Sequence, residues 1–139
     1  MIQAHGLHVA LPARDLAATV SFYTRLFGMK VLYHTTYHGA NFVMLEWQGA
    51  HRVSFLERPG NIPSPPWVST SGENPLHIGF TVKSREEVDC AARVLREEGV
   101  EIIIGPRDRN EVHEHAVYCL DPNGYQVEIY CEKAGIGPD

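Results

Sequence analysis

Two histidines and one glutamate have residue types and positions that suit a metal site. His8 stands in a Leu-His-Val run near the start of the chain, and His77 stands in a similar Leu-His-Ile run near its middle. Glu128 lies in "YQVEIYCE", whose valine, isoleucine and tyrosine favour a strand. Glutamate is depleted in strands and is costly to bury unless it is paired. A divalent cation bound by these two imidazoles and one carboxylate would pair it and leave other coordination positions open.

Ordinary structural roles for these residues remain open at this point. A single strand histidine is more often packed or half-exposed than metal-bound, and a strand glutamate can simply face water. The chain has eight histidines. Surface or local hydrogen-bonding roles are predicted for His5, His34, His38 and His115. The three cysteines are Cys90, Cys119 and Cys131. They lack the spacing of a sulfur-rich zinc site and are expected to be reduced thiols.

The elements that must position the triad occur twice along the chain. The first copy is predicted as a strand, a helix and three strands, at residues 7–13, 14–28, 29–38, 41–48 and 51–58. The second copy is predicted in the same order, at residues 76–82, 84–99, 100–106, 115–121 and 125–132. Apolar residues at helical spacing, a capping box of Ser84 and Glu87, and glycines after each helix support both helices. The proline-rich residues 58–75 connect the copies.

The repeat also aligns single positions. His8 corresponds to His77, and the alignment of "VSFL" with "VEIY" places Ser54 at the position of Glu128. We therefore predict an α+β fold of two βαβββ modules, forming an open, mixed β-barrel-like metal-binding cavity. The single domain, residues 1–139, divides into module 1 at about 5–57, the connector at 58–75 and module 2 at about 76–132.

Composition restricts the partners of the chain. A net charge of −5, with no basic stripe, disfavours nucleic acid. The N-terminal residues lack the basic start and apolar run of a signal peptide, and no stretch is long enough to cross a membrane. A cytoplasmic protein with a small-molecule substrate is therefore expected. Phe42, Trp47, Phe55, Trp67 and Phe80 are candidates for an apolar ring pocket, although core packing is the ordinary role of aromatic residues.

The residues that carry these features resemble the vicinal-oxygen-chelate superfamily. Its members include glyoxalase I, fosfomycin-resistance enzymes, epimerases, bleomycin-binding proteins and extradiol ring-cleaving dioxygenases. The similarity runs from "LHVALPARDLAATVSFYTRLFGMKVL" to "YCLDPNGYQVEIY" and so covers nearly the whole chain. In that family the first strand of each module supplies a histidine ligand, and the last strand of the second module supplies a glutamate. The resemblance implies that His8, His77 and Glu128 bind the metal.

Three further similarities point to the extradiol dioxygenases within this superfamily. Glyoxalase I has a second glutamate ligand at the position where this chain has Ser54, so a four-ligand glyoxalase site is not expected. Glu57 lies close enough that a register slip could restore this ligand. His51 matches the acid–base histidine of the extradiol enzymes. Tyr118 precedes Glu128 by ten residues, across the predicted Asp-Pro-Asn-Gly turn, and matches their substrate-binding tyrosine. His113 is the nearest candidate for a further catalytic histidine, but its spacing does not match.

The resemblance implies an Fe(II)-dependent extradiol dioxygenase that opens the ring of a catechol-type diol with O2. Two alternatives remain on the same scaffold. One is a glyoxalase I, epimerase or fosfomycin-resistance type of enzyme that uses Mn, Ni or Zn. The other is a non-enzymatic protein that binds an aromatic drug. Members of this superfamily often pair, so a homodimer or higher homo-oligomer is expected, in which the connector could allow modules to exchange.

Overall fold

A computed structural model of the chain describes residues 1–58 and 77–133. The chain forms two compact units, Met1–Ser64 (unit 1) and Pro65–Asp139 (unit 2). The boundary between them falls within the predicted connector, most of which lies outside the described residues. The possible hinge for module exchange therefore also lies outside them.

Each unit contains one helix and four strands. Unit 1 contains β1 (Leu7–Ala13), α1 (Leu16–Phe27), β2 (Lys30–Tyr37), β3 (Ala40–Trp47) and β4 (His51–Glu57). Unit 2 contains β5 (His77–Thr81), α2 (Arg85–Glu97), β6 (Ile102–Arg109), β7 (Glu114–Leu120) and β8 (Gln126–Glu132). The predicted α+β class and the repeated βαβββ order are confirmed.

The two sheets have the same strand order and the same mixture of directions. Sheet 1 runs β1-β4-β3-β2 and sheet 2 runs β5-β8-β7-β6. In each sheet the first strand pairs in parallel with the last strand of the unit, and the remaining pairs are antiparallel. A parallel pair needs a crossover connection. In each unit this crossover carries the helix, so the first and last strands become neighbours.

Local signals set the ends of both helices. The Asp15 carboxylate caps α1 by accepting a hydrogen bond from the Ala18 N–H at 2.9 Å, and Gly28 ends α1 in the left-handed conformation at φ 66°. In α2 the Ser84 hydroxyl accepts from the Glu87 N–H at 3.2 Å, which confirms Ser84 as the cap. The Glu87 carboxylate accepts from the Lys83 N–H at 2.7 Å, whereas the predicted capping box would bond it to the Ser84 N–H. Neither helix of the described residues is long and apolar enough to span a membrane.

Each helix covers one face of its own sheet. In unit 1 the Tyr23 ring of α1 stacks on Phe55 of β4, with ring centroids 5.3 Å apart. In unit 2 the buried residues of α2 are Val88, Ala92 and Leu95, and the helix lies against β6, β7 and β8. Because side chains alternate along a strand, residues on the other face of each sheet are left available for a site.

Strand β6 lies further along the chain than predicted, at Ile102–Arg109 instead of residues 100–106. Proline cannot donate a hydrogen bond within a sheet, and Pro106 was the last residue of the predicted strand. The strand continues to Arg109, since the pairing register with β7 shifts between Ile104 and Arg107 and leaves the proline in the irregular step. Gly105 has φ 79°, and a Cβ there would lie 2.5 Å from the Ala116 carbonyl oxygen. This irregularity brings Arg109 into the sheet.

Candidate metal centre

The two units place the predicted ligands at equivalent positions. In unit 1, Ala10 of β1 pairs with Ser54 of β4, and His8 lies two residues before Ala10. In unit 2, Gly79 of β5 pairs with Glu128 of β8, and His77 lies two residues before Gly79. The predicted correspondence of His8 with His77, and of Ser54 with Glu128, is confirmed by this identical register.

His77 and Glu128 meet on the face of sheet 2 away from α2. The His77 Nε2 atom lies 3.0 Å from Glu128 Oε2. Glu128 is only 4% exposed, so its charge requires partners. The strand carboxylate that was unusual in the sequence therefore has an imidazole partner within its own unit.

Tyr118 completes a hydrogen-bonded chain with these two residues. It lies directly opposite Glu128 in the β7–β8 pair, and its hydroxyl donates to Glu128 Oε1 at 2.5 Å. Its ring also meets His77 edge-on, with ring centroids 5.8 Å apart. The turn between β7 and β8 fixes this pairing, because the Asp121 carboxylate accepts from two backbone N–H groups of the turn, those of Asn123 and Tyr125.

Arg109 belongs to the same cluster but escaped the sequence analysis. Its Nη1 atom donates to the Tyr118 hydroxyl and lies 3.8 Å from Glu128 Oε1. Its guanidinium carbon also stands 5.4 Å from the centroid of the Tyr118 ring. The alternation of Arg107 and Arg109 after Pro106 indicates that the strand continues, but the proline led to a predicted strand end at residue 106.

The cluster sets the ionisation of its own members. Burial favours the neutral form of Glu128, but hydrogen bonds from His77 and Tyr118 outweigh it and lower the pKa of this carboxyl. Burial and the Glu128 charge raise the pKa of Tyr118 well above its ordinary value. Burial and the same charge raise the pKa of Glu114. Glu128 is therefore the anionic member of the cluster, and Tyr118 remains a neutral hydroxyl donor.

Two features show that a divalent metal fits beside Glu128. The imidazole of His77 and the carboxylate of Glu128 are borderline and hard donors that suit several first-row metals. Gly79 also leaves space next to the carboxylate, because a Cβ at that position would lie 3.3 Å from Glu128 Oε2. Within either unit, the described residues contain no group of three His, Cys, Asp or Glu side chains placed to bind a metal. The two donors of unit 2 thus need a further ligand.

His8 lies in unit 1 and is exposed. It borders a cavity of about 370 Å³ together with His5, Arg52 and backbone around Gly49. It pairs with Arg52 across the β1–β4 step, so strand alternation places His8 on the same face of sheet 1 as Ser54. His8 as the third metal ligand remains a prediction.

The other two predicted catalytic histidines lie apart from the cluster within their units. His51 begins β4, and its ring contacts Trp47 with centroids 5.8 Å apart. It pairs with Leu7 rather than with His8, so alternation places it on the opposite face of sheet 1 from His8. His113 is exposed, in the turn between β6 and β7, with φ 58°. The structure therefore brings together His77, Tyr118 and Glu128, but neither of these histidines.

A family match provides an independent observation. The sequence model of the glyoxalase/bleomycin resistance protein/dioxygenase superfamily matches residues 7–129. The chain belongs to this superfamily. The match extends from the start of β1 into β8 and includes His8, His77 and Glu128, and it confirms the resemblance inferred from the sequence.

Two relatives match the chain over most of its length. An uncharacterized protein of Pseudomonas aeruginosa is 32% identical over 136 residues, which cover 95% of this chain and 92% of that protein. The 2,2',3-trihydroxybiphenyl dioxygenase of Sphingomonas paucimobilis is 26% identical over 133 residues, which cover 91% of this chain but 42% of that enzyme. The chain therefore spans less than half the length of this dioxygenase.

A solved structure shares the superfamily fold. A mutant of the fosfomycin resistance protein FosX from Listeria monocytogenes superposes with a TM-score of 0.70 at 22% identity, and the match covers 95% of this chain and 94% of that chain. That protein was crystallised with Mn(II) and 1S,2S-dihydroxypropylphosphonic acid. At this identity the likeness shows a common fold.

Proposed function

We propose that the chain is an Fe(II)-dependent extradiol dioxygenase that opens the ring of a catechol-type diol with O2. The observation that carries the proposal is the cluster in which Glu128 contacts both His77 and Tyr118. The similarity to trihydroxybiphenyl dioxygenase supports this reaction among those of the superfamily. In this proposal His8 of unit 1 supplies the third metal ligand.

The residues around Glu128 have separate tasks in this proposal. The imidazoles of His8 and His77 and the carboxylate of Glu128 would hold Fe(II), which would supply the Lewis acidity and the redox chemistry for ring opening with O2. Glu128 serves as a ligand because its lowered pKa keeps it ionised at neutral pH. Tyr118 keeps its proton, which it donates to Glu128 Oε1 in the structure. In this proposal a substrate oxygen replaces Glu128 Oε1 as the acceptor, which orients the ring. Arg109 holds the Tyr118 hydroxyl in place.

The acid–base role predicted for His51 also belongs to this proposal, and so does the weaker one for His113. An imidazole side chain can remove a substrate proton and return it. However, His51 faces away from His8 by strand alternation. Oxygen uptake that is unchanged in His51→Ala would remove this residue from the mechanism.

Oxygen consumption tests the proposal directly. The full chain is loaded anaerobically with Fe(II) and then mixed with catechol or 2,3-dihydroxybiphenyl in air. We expect O2 uptake that matches the appearance of a yellow ring-opened product. Glu128→Gln should abolish the uptake, and Tyr118→Phe should lower turnover by about 10- to 100-fold because the substrate loses its orientation. Tyr33→Phe, which alters an exposed tyrosine of β2, is the matched control.

A second function on the same scaffold is favoured by Arg109. A guanidinium beside Tyr118 and Glu128 suits an anionic substrate such as a phosphonate, and FosX was crystallised with Mn(II) and a phosphonic acid. In this alternative the metal only polarises substrate oxygens. Turnover of fosfomycin with Mn(II), without O2 uptake on any catechol, would support it and contradict the dioxygenase.

A further inference from the structure

The outer strand β2 of sheet 1 is exposed along its whole length. It ends the strand order β1-β4-β3-β2, and every residue of Lys30–Tyr37 is exposed. Among the described residues no strand pairs with its outer side. The backbone N–H and C=O groups on that side of an outer strand can pair with a further strand. β2 is therefore a candidate surface for the addition of a strand.

The equivalent strand of unit 2 is protected against such pairing, whereas most of β2 is not. This strand, β6, is an outer strand of sheet 2. It contains Pro106, the charged residues Arg107–Arg109 and two register shifts against β7. Proline, charges and irregular steps all hinder the pairing of an outer strand with another chain. In β2 the lysine, Lys30, and a register shift lie before Tyr33, so the regular stretch Tyr33–Tyr37 has none of these features.

The side chains of this stretch are symmetric about Thr35. Tyr33, Thr35 and Tyr37 point to one face of the sheet. Phe42 of β3 lies opposite Thr35, and its ring centroid is 6.0 Å from that of Tyr33 and 6.1 Å from that of Tyr37. Both tyrosines are about half-exposed, at 48% and 54%. The face therefore presents an exposed ring on each side of a central threonine.

A second copy of the same strand fits this symmetry. A two-fold axis perpendicular to a sheet joins two copies of a strand in antiparallel and keeps each face on its own side, so the axis must pass through a residue. An axis through Thr35 pairs every residue of Tyr33–Tyr37. Each Tyr33 then lies opposite Tyr37 of the second copy, the two Thr35 residues lie opposite each other, and each His34 lies opposite Thr36. Aromatic pairs and Thr–Thr pairs are favourable across strands.

We propose that β2 pairs in antiparallel with β2 of a second copy of this chain, about a two-fold axis through Thr35. Two copies of sheet 1 then form one continuous eight-stranded sheet. This inference goes beyond the proposed dioxygenase activity, because none of the predicted metal ligands takes part in the contact. It also differs from an exchange of modules, because the connector takes no part. The contact is short, so the association is reversible and weaker than that of a standard interface of roughly 1,600 Å².

Sedimentation equilibrium of the full chain tests the proposal, with EDTA present so that metal ions do not bridge exposed histidines. The protein concentration runs from about 1 μM to 1 mM, which covers the affinities expected of a small interface. We expect the mean mass of the wild type to double over this range, because a two-fold contact joins two equal assemblies. Thr35→Lys sets two ammonium groups opposite each other, and Thr35→Glu sets two carboxylates. Each variant should associate about 3- to 10-fold more weakly than the wild type.

A mixture of the two variants tests the position of the axis. In an equimolar mixture of Thr35→Lys and Thr35→Glu, opposite charges face each other, so the association should return to that of the wild type. Ala17→Lys, which adds a charge to the exposed side of α1, is the control and should associate like the wild type. A wild-type mass that stays constant over the range would overturn the proposal. So would a Thr35→Lys variant that associates like the wild type, or two variants that remain apart when mixed.

Discussion

At the scale of single residues, Gly79 controls the space around the candidate metal ligand Glu128. An added Cβ would lie 3.3 Å from Glu128 Oε2 and 3.3 Å from the Tyr130 ring, which is closer than ordinary van der Waals contact. Gly79→Ala should therefore displace the carboxylate and weaken metal binding by about 10-fold or more, as for other residues that orient metal ligands. Competition with a chromophoric chelator measures this affinity.

Gly6→Ala is the control for this substitution. Its new Cβ would meet only the Ala50 carbonyl oxygen, at 3.5 Å, so its affinity for metal should match that of the wild type. Equal affinities for Gly79→Ala and the wild type would contradict this role of Gly79.

The three cysteines differ in exposure and should differ in reactivity. Cys90 is exposed, whereas Cys119 and Cys131 are buried. Burial and the nearby Asp121 charge raise the pKa of the Cys119 thiol to about 12, so it holds little of the reactive thiolate near neutrality. With iodoacetamide at pH 8, mass spectrometry should find Cys90 labelled in the native protein and the other two labelled only after denaturation. Labelling of native Cys119 as fast as Cys90 would contradict this environment.

At the scale of elements, a charged cluster joins α2 to β6 and β7. His115 of β7 is buried, and its ring nitrogens lie 2.8 Å from Asp108 of β6 and 3.0 Å from Asp89 of α2. Arg85 of α2 lies 2.5 Å from the Asp108 carboxylate, and Lys133 lies 3.9 Å from it. This network fixes the helix across the end of the sheet. His115 thus has the predicted hydrogen-bonding role, but it is buried and not on the surface, and its partner Asp89 lies 26 residues away along the chain.

This network predicts a pH-dependent contribution to stability. The hydrogen bond with His115 lowers the pKa of Asp108 below its ordinary value despite some desolvation, and Arg85 and Lys133 add to the effect. A carboxyl whose folded pKa is lowered stabilises the protein above its unfolded pKa, and this contribution is lost as the pH falls through the folded value. Asp108→Asn should therefore destabilise the protein at pH 7, and its difference from the wild type should shrink below about pH 4.

Urea unfolding at several pH values measures the Asp108 contribution. Glu101→Gln, which neutralises another exposed carboxylate, provides the control and should show no such dependence. A wild-type-to-Asp108→Asn difference that stays constant from pH 7 to pH 3 would contradict the assignment.

At the scale of the whole molecule, the predicted metal ligands come from both units. His8 belongs to unit 1, and His77 and Glu128 belong to unit 2. If one ion binds all three, metal should stabilise the folded chain by about 2.7 kcal/mol at a hundredfold excess over its Kd. His8→Ala should then remove this stabilisation as fully as His77→Ala does. Thermal unfolding with and without Mn(II) or anaerobic Fe(II) provides the measurement.

His34→Ala, an exposed histidine of β2, should retain the full metal-induced rise in Tm. A rise in Tm that survives His8→Ala but not His77→Ala would place the ion in unit 2 alone and make the predicted triad wrong.

The expected homodimer is measured on the same samples by light scattering. Superfamily membership does not determine the reaction. The metal-induced changes in Tm therefore test the metal site and not the fold.

The amino-acid sequence determined the elements and their repeat. Alternation, helical spacing, caps and turn residues are local signals, so the strands, both helices and the pairing of Tyr118 with Glu128 could be predicted. The sequence also predicts that His51 and Ser54 lie on opposite faces of β4, because residues three apart on a strand point to opposite sides. The resemblance of His51 to a catalytic histidine obscured this spacing.

Tertiary structure decided which side chains meet. Arg109 reaches Tyr118 only because an irregular step carries β6 past Pro106. Gly79 controls the space beside Glu128 only because the two residues pair across β5 and β8. The Ser54 hydroxyl lacks a hydrogen-bond partner among the described residues because β4 is buried at this position. These properties arise from the register between strands that are distant along the chain, and a single sequence carries only weak information about such register.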